Sequence, residues 1–188
     1  MKVYVIRHGE SETNREKKWT GWLDVNLTDK GREDAKKAGE FLENVSFDKI
    51  YSSDLLRARQ TAENAIAGCR YETSELLREI NVGSLEGKIF SFLTDEQRKE
   101  IRTKKYKEYG GENQQEFSDR VAGFMKELES QNCENIAVFS HAGWLCRMLD
   151  IVTEVDIPRN KICCNNCTVA IFEYTEKEWR LHSWVNLT

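Results

Sequence analysis

Val3-Tyr4-Val5-Ile6-Arg7-His8-Gly9-Glu10 runs four apolar side chains without a break into an arginine, a histidine and a glycine. A short continuous apolar run closed in this way reads as a strand buried on both faces, the kind that parallel sheets contain. In open α/β sheets chemistry gathers beyond the ends of such strands, so Arg7 and His8 stand where a site is built. A neutral imidazole is a good nucleophile toward phosphorus, and a neighbouring guanidinium can hold phosphate oxygens in bidentate fashion. The pair points to phosphoryl transfer through a phosphohistidine. The competing reading is a histidine hydrogen-bonded in a turn, and the rest of the chain has to choose between them.

Strand, turn and helix then repeat. A helix opens near Thr28, whose hydroxyl can cap its first turn, and Ala35, Ala38, Phe41 and Leu42 recur at helical spacing. Asp48 to Ser52 reads as a second strand, followed by a helix from about Asp54 that carries Leu55, Ala58, Ala62, Ala65 and Ile66. Phe117, Val121, Phe124, Met125 and Leu128 mark an amphipathic helix whose stripe is packing surface. Ile136-Ala137-Val138-Phe139 is a second buried strand and ends in Ser140-His141-Ala142-Gly143; a helix bearing Leu145, Met148, Leu149 and Val152 follows. Strands around Val169–Tyr174 and Trp179–Val185 close the chain through Thr175-Glu176-Lys177. This alternation predicts an α/β fold, a three-layer sandwich with a mostly parallel central sheet flanked by helices. No internal repeat interrupts it, and the single proline, Pro158, marks a loop.

Between Gly87 and Gly111 the character changes. Lys88, Lys99, Arg102, Lys104, Lys105 and Lys107 are set among Phe90, Phe92, Leu93 and Ile101. The stretch is expected to be a lid inserted at about residues 88–112 in a single domain spanning 1–188, with most of its lysines forming a solvated helix face.

With 188 residues and 39% hydrophobic side chains the chain can bury a core, while a net charge of −4 and a pI near 5.6 leave no basic face for a polynucleotide. The expected partner is a small phosphorylated metabolite, attracted by locally placed arginines. Neither nucleic acid nor membrane is expected, because no apolar run approaches spanning length; the apolar start is too short for a signal peptide, which predicts a cytoplasmic protein. Cys69, Cys133, Cys146, Cys163, Cys164 and Cys167 are irregularly spaced and read as free thiols. Cys164 and Cys167 form a C-x-x-C without a second ligand pair, so they read as structural, and neither a metal nor a cofactor is expected. Oligomeric state is not legible.

Two of the three histidines, His8 and His141, lie just past buried strands whose ends share one sheet edge, so the topology brings them together. Arg7-His8-Gly9-Glu10, Ser53-Asp54-Leu55-Leu56-Arg57-Ala58 with Thr61-Ala62, Arg78-Glu79 with Gly83 and Glu86-Gly87, and Ser140-His141-Ala142-Gly143 together resemble the histidine phosphatase superfamily. That superfamily includes cofactor-dependent phosphoglycerate mutases and many small phosphatases. The resemblance implies that His8 is the phosphorylated nucleophile, that Arg7 and Arg57 bind the phosphoryl group, that His141 stabilises developing charge as an imidazolium, and that Glu79 is the general acid. It also places Asn14, Thr20, Gly21 and Ala142 in phosphate and substrate binding. Fixed positive donors suit phosphoryl transfer, whose charge spreads over the non-bridging oxygens, and a poor alkoxide leaving group needs the proton that a carboxylic acid supplies.

Gly110-Gly111-Glu112, with Phe117 and Arg120 following, resembles the small phosphatase branch, which includes broad-specificity enzymes and α-ribazole phosphatases. A short chain encloses its phosphoenzyme less than a mutase must, which favours hydrolysis over phosphoglycerate mutase-type transfer. A non-catalytic scaffold of the same fold is the alternative from another class, and the complete set of residues weighs against it. Trp19, Trp22, Phe90 and Tyr106 are candidates for contacting the leaving group, and Glu10 is the first alternative to Glu79 as the acid. His182 matches nothing catalytic and reads as structural. A sugar phosphate, a phosphoglycerate, a nucleotide and α-ribazole phosphate all remain open as substrates.

Overall fold

Val3 and Val5 turn to one face of the first strand and Tyr4 and Ile6 to the other, and all four are buried. A strand with no solvent face has to lie inside a sheet covered on both sides. The computed structural model describes residues 1–90, 93–101 and 106–188. The chain runs β1 (Lys2–Arg7), α1 (Glu12–Arg15), α2 (Asp29–Leu42), β2 (Lys49–Ser53), α3 (Leu56–Ala65), β3 (Glu72–Ser74), α4 (Asp95–Glu100), α5 (Gln114–Glu129), β4 (Asn135–Ser140), α6 (Ala142–Thr153), β5 (Val169–Thr175) and β6 (Glu178–Val185). The strands form one sheet in the order β3-β2-β4-β1-β5-β6. Its first four are mutually parallel, and β5 and β6 add an antiparallel hairpin. The α/β sandwich with a mostly parallel sheet is therefore what the chain adopts.

Ile136 and Val138 of β4 join Val3 and Val5 under α5 and α6, where Phe117, Val121, Phe124, Trp144 and Met148 pack. On the other face Ala137 and Phe139 join Tyr4 and Ile6 beneath Ala35, Ala38 and Leu42 of α2 and Ala62 of α3. Phe41, expected on that stripe, is 41% exposed. One residue advances a helix by about 100°, which carries position 41 off the line of 35, 38 and 42.

Thr28 caps α2 as expected, its hydroxyl accepting from the Gly31 N–H at 3.0 Å. α3 begins later than the sequence predicts: Asp54 is drawn into an ion pair with Arg78, and the first N–H groups are taken by Ser53 Oγ (from Leu55, 3.3 Å) and by Asp24 Oδ1 (from Leu56, 2.6 Å). The four-residue α1, with a Ser11–Asn14 capping box, and the three-residue edge strand β3 are too short to leave a periodicity. In the expected lid, Tyr106 is buried against Val82 and Leu85, while Phe92, Arg102, Lys104 and Lys105 lie outside the described residues. Among the described residues all six cysteines are free, no helix is long and apolar enough to cross a membrane, and no three His, Cys, Asp or Glu side chains cluster as metal ligands.

Candidate active site

Parallel pairing aligns the ends of three strands, with Arg7 of β1 opposite Ser140 of β4 and Ser52 of β2 opposite Phe139. His8 and His141 leave the sheet from adjacent strands, and their rings meet edge to face with centroids 5.2 Å apart. Both are buried. The turn that carries His8 is pressed against the start of α2, where a β-carbon on Gly9 would come within 2.3 Å of the Gly31 carbonyl oxygen.

The His8 ring is fixed in one tautomer. Nδ1 lies 2.7 Å from the Gly9 carbonyl oxygen, an acceptor only, so Nδ1 carries the proton and donates it. Nε2 then keeps a lone pair, and Arg57 Nε donates to it at 3.3 Å. Burial first, then the charges of Arg57 and Arg7, push the His8 pKa well below its ordinary value of 6.5, so the ring is neutral at pH 7. Gly9 is held in turn, its N–H donating to Thr61 Oγ1 at 3.0 Å.

Arg57 is completely buried on α3. Its Nη1 and Nη2 donate to the carbonyls of Leu23 (2.9 Å) and Gly21 (2.8 Å). Burial lowers its pKa to about 10, which leaves it a cation at neutral pH. Gly21 thus serves the site through its carbonyl, which orients Arg57. Arg7 is only partly committed to the protein: Nη1 donates to the Cys164 carbonyl, and Nε is buried without a hydrogen-bond partner.

His141 differs from expectation. Burial, reinforced by the Arg57 charge, holds its pKa well below 6.5, so it stands as a neutral imidazole and not as the expected imidazolium. Its Nε2 lies 2.9 Å from Ser53 Oγ, while Nδ1 is buried without a partner. Ser53 Oγ also accepts from the Leu55 N–H at 3.3 Å. Ala142 opens α6, so its N–H has no partner within the helix.

Glu79 lies against the same helix. Oε2 accepts from the Gly143 N–H at 3.0 Å and Oε1 from the Ile80 N–H at 2.9 Å. Room for the carboxylate exists because residue 143 has no β-carbon, which would stand 2.1 Å from Oε1. Glu10, the alternative acid, has Oε1 engaged by the Thr28 hydroxyl at 2.8 Å.

Asn14 joins the histidine turn through Asn166, while Thr20 is tied to Thr13. Asn14 Oδ1 accepts from the Ser11 N–H (3.3 Å) and from Asn166 Nδ2 (3.2 Å), and the Thr20 hydroxyl pairs with that of Thr13 at 2.7 Å. Asn166, which the sequence reading missed, also donates to the His8 carbonyl at 3.0 Å. Its only signal is its place just ahead of β5, the strand that runs antiparallel beside β1. Trp22 proves to be a strut: its indole N–H donates to the Glu79 carbonyl at 2.7 Å and its ring lies under Arg78. Trp19 contacts Phe90 and Tyr106, with ring centroids 5.3 and 5.8 Å away. His182 is exposed on β6.

The depressed histidines have a consequence for stability. The unfolded chain takes up protons near pH 6.5 that the folded protein refuses, so stability is full above that value and falls as the pH drops toward the lowered folded values. Tm is expected to decline between about pH 7 and about pH 5, and His141→Asn, which keeps polarity without titrating, should flatten the slope. An unchanged slope in that variant would assign the acid sensitivity to other groups.

A sequence profile of the histidine phosphatase superfamily, branch 1, matches residues 3–187. A Salmonella choleraesuis protein named "Probable phosphoglycerate mutase GpmB" is 33% identical over 194 aligned positions, covering 98% of this chain and 90% of that protein. An Escherichia coli structure described as a candidate α-ribazole-5′-phosphate phosphatase superposes with a TM-score of 0.83 at 26% identity, covering 100% of this chain and 98% of its own. A mutant phosphoserine phosphatase from Entamoeba histolytica, in complex with phosphoserine, gives a TM-score of 0.83 at 25% identity, with 99% and 97% covered.

Proposed function

The chain belongs to the histidine phosphatase superfamily, and on that footing we propose that it hydrolyses a small phosphate monoester through a phosphohistidine on His8, without a metal ion. The observation that carries this reading is the His8 ring, neutral and fixed with its proton on Nδ1 and its Nε2 lone pair beside a buried arginine. That is a nucleophile already desolvated and paired with a group that binds the phosphoryl oxygens.

In the first half-reaction Nε2 bonds to phosphorus as the bond to the leaving oxygen breaks, and Glu79 delivers a proton to that oxygen. In the second, water attacks phosphorus, Glu79 takes its proton, and His8 departs neutral with release of inorganic phosphate. Arg7, Arg57 and His141 hold the oxygens on which charge builds. The incoming dianion also supplies counter-charge to Arg7 and the buried Arg57, and it favours protonation of His141 as the reaction proceeds. Asn14, Thr20 and the N–H of Ala142 complete the phosphate and substrate subsite, with Gly21 acting through Arg57. Residues 88–112 work as a lid on this single domain.

Phosphoglycerate mutase-type transfer is the second reading, supported by the name of the Salmonella relative. Purified protein is expected to release inorganic phosphate from at least one of a panel of sugar phosphates, phosphoserine, phosphoglycerates, nucleotides and α-ribazole phosphate. Chelator should leave the rate unchanged and vanadate should inhibit. Interconversion of 2- and 3-phosphoglycerate outpacing phosphate release would select the mutase; no turnover and no phosphoenzyme from any compound would select a scaffold.

A further inference from the structure

Arg120, on the second turn of α5, spends every N–H it has on one short piece of backbone and the carboxylate that backs it. Nε and Nη2 donate to the two oxygens of Glu112, each at 2.8 Å. Nη1 donates to the carbonyls of Leu76 (3.0 Å) and Arg78 (2.7 Å), and Nη2 also donates to that of Glu79 (3.0 Å). A guanidinium has five N–H groups in a rigid plane, and all five are used. Glu112 extends the grip, since its Oε2 also accepts from the Asn81 N–H at 2.8 Å. The segment 76–81 is thereby held at three carbonyls by Arg120 and at one N–H by Glu112, the last residue of the expected lid.

That segment needs holding. Beyond a single 3-10 turn at Glu75–Leu77 it has no regular structure of its own to fix Glu79. Two donors converge on the Glu79 carbonyl, Arg120 Nη2 and the indole N–H of Trp22, and the Arg120 guanidinium also lies over the rings of Phe117 and Trp22 at 5.0 and 5.9 Å. The charge of Arg120 is matched by Glu112, so what it contributes to Glu79 is location.

We propose that Arg120 is a positioning residue which, with Glu112 and Trp22, holds the Glu79 carboxyl at the oxygen it protonates, so that losing its fork costs the proton-dependent step in particular. This rests on the reading of Glu79 as the general acid. Displacement of a catalytic group by about 1 Å can lower a rate about a hundredfold. Lysine keeps the charge but offers three donors on a point, so Arg120→Lys does not restore the grip.

The test is the single-turnover rate of phosphohistidine formation with two probes, glycerol 2-phosphate, which leaves as an alkoxide, and p-nitrophenyl phosphate, which leaves as a stable phenolate. The ratio of the two rates in one sample does not depend on how much of a variant is folded. Glu79→Gln is expected to lower the rate with glycerol 2-phosphate by about 10²–10⁴ and to spare p-nitrophenyl phosphate. Arg120→Lys should change the ratio in the same direction by about 10², and the double variant should change it no further than Glu79→Gln alone. Should Arg120→Lys not yield soluble protein, Trp22→Phe, which removes the other donor to the Glu79 carbonyl, is expected to move the ratio the same way by a smaller factor. A selective loss in Glu79→Gln with equal losses on both probes in the positioning variants overturns the role of Arg120 and leaves the acid standing. An unchanged ratio in Glu79→Gln removes the acid, and with it the positioning role. Absence of phosphohistidine from either probe in the unmodified protein overturns both.

Discussion

His8→Ala is expected to lower turnover by at least about 10⁴-fold while leaving the protein folded, because it removes the ring nitrogen that bonds to phosphorus. Among the described residues, the groups around His8 are poor substitutes. Arg57 and Arg7 are donors only, His141 Nε2 is paired with Ser53, and the Glu79 oxygens are held by two backbone N–H groups. The fold should survive, since the core clusters on the two sheet faces do not include His8. Acid quenching is expected to destroy the label in the unmodified protein, whereas quenching in base should retain phosphate on histidine. Residual activity above about a hundredth of the unmodified rate would falsify the covalent role, since loss of a nucleophile usually costs far more. Base-labile phosphate on serine or aspartate would relocate the chemistry.

Arg57→Lys is expected to lower kcat by about 10²–10³, the range seen when one preorganised donor to a developing anion is lost. Lysine preserves the charge, so the loss tests geometry. The Gly21 and Leu23 carbonyls clamp two corners of a planar fork whose third N–H faces Nε2 of His8. A lysine ammonium at the end of a flexible stem cannot satisfy both carbonyls and still address the phosphoryl group. A second readout isolates binding: vanadate should raise the Tm of the unmodified protein by mass action and should do so much less in Arg57→Lys. A variant within about tenfold in kcat and with the full vanadate shift would mean that Arg57 is a structural strut, contrary to its expected place among the phosphoryl donors.

The fold was legible where burial on both sides of a strand writes itself into consecutive residues. Val3–Ile6 and Ile136–Phe139 could not be read as surface, and Thr28 marked the start of α2 through its own hydroxyl. α1 and β3 were missed because four and three residues do not complete a period. The start of α3 was misplaced because Asp54, a good cap by type, is claimed by Arg78 from another segment, and Asp24 does the capping from a third.

The residue types carrying the candidate chemistry, and the sheet edge on which His8 and His141 meet, followed from the sequence alone. Strand ends are local features, and parallel pairing is implied by the alternation of elements. Only the tertiary structure decided the condition of those residues. The tautomer of His8 depends on the Gly9 carbonyl, the aim of Arg57 on those of Gly21 and Leu23, the commitment of Arg7 on that of Cys164, and the setting of Glu79 on the carbonyls that Arg120 gathers. Every residue has a carbonyl, so no residue type marks the ones that accept these bonds. The neutrality of His141 is invisible for a related reason: desolvation is a property of everything packed around a ring, and the charge that acts on it most strongly comes from another helix.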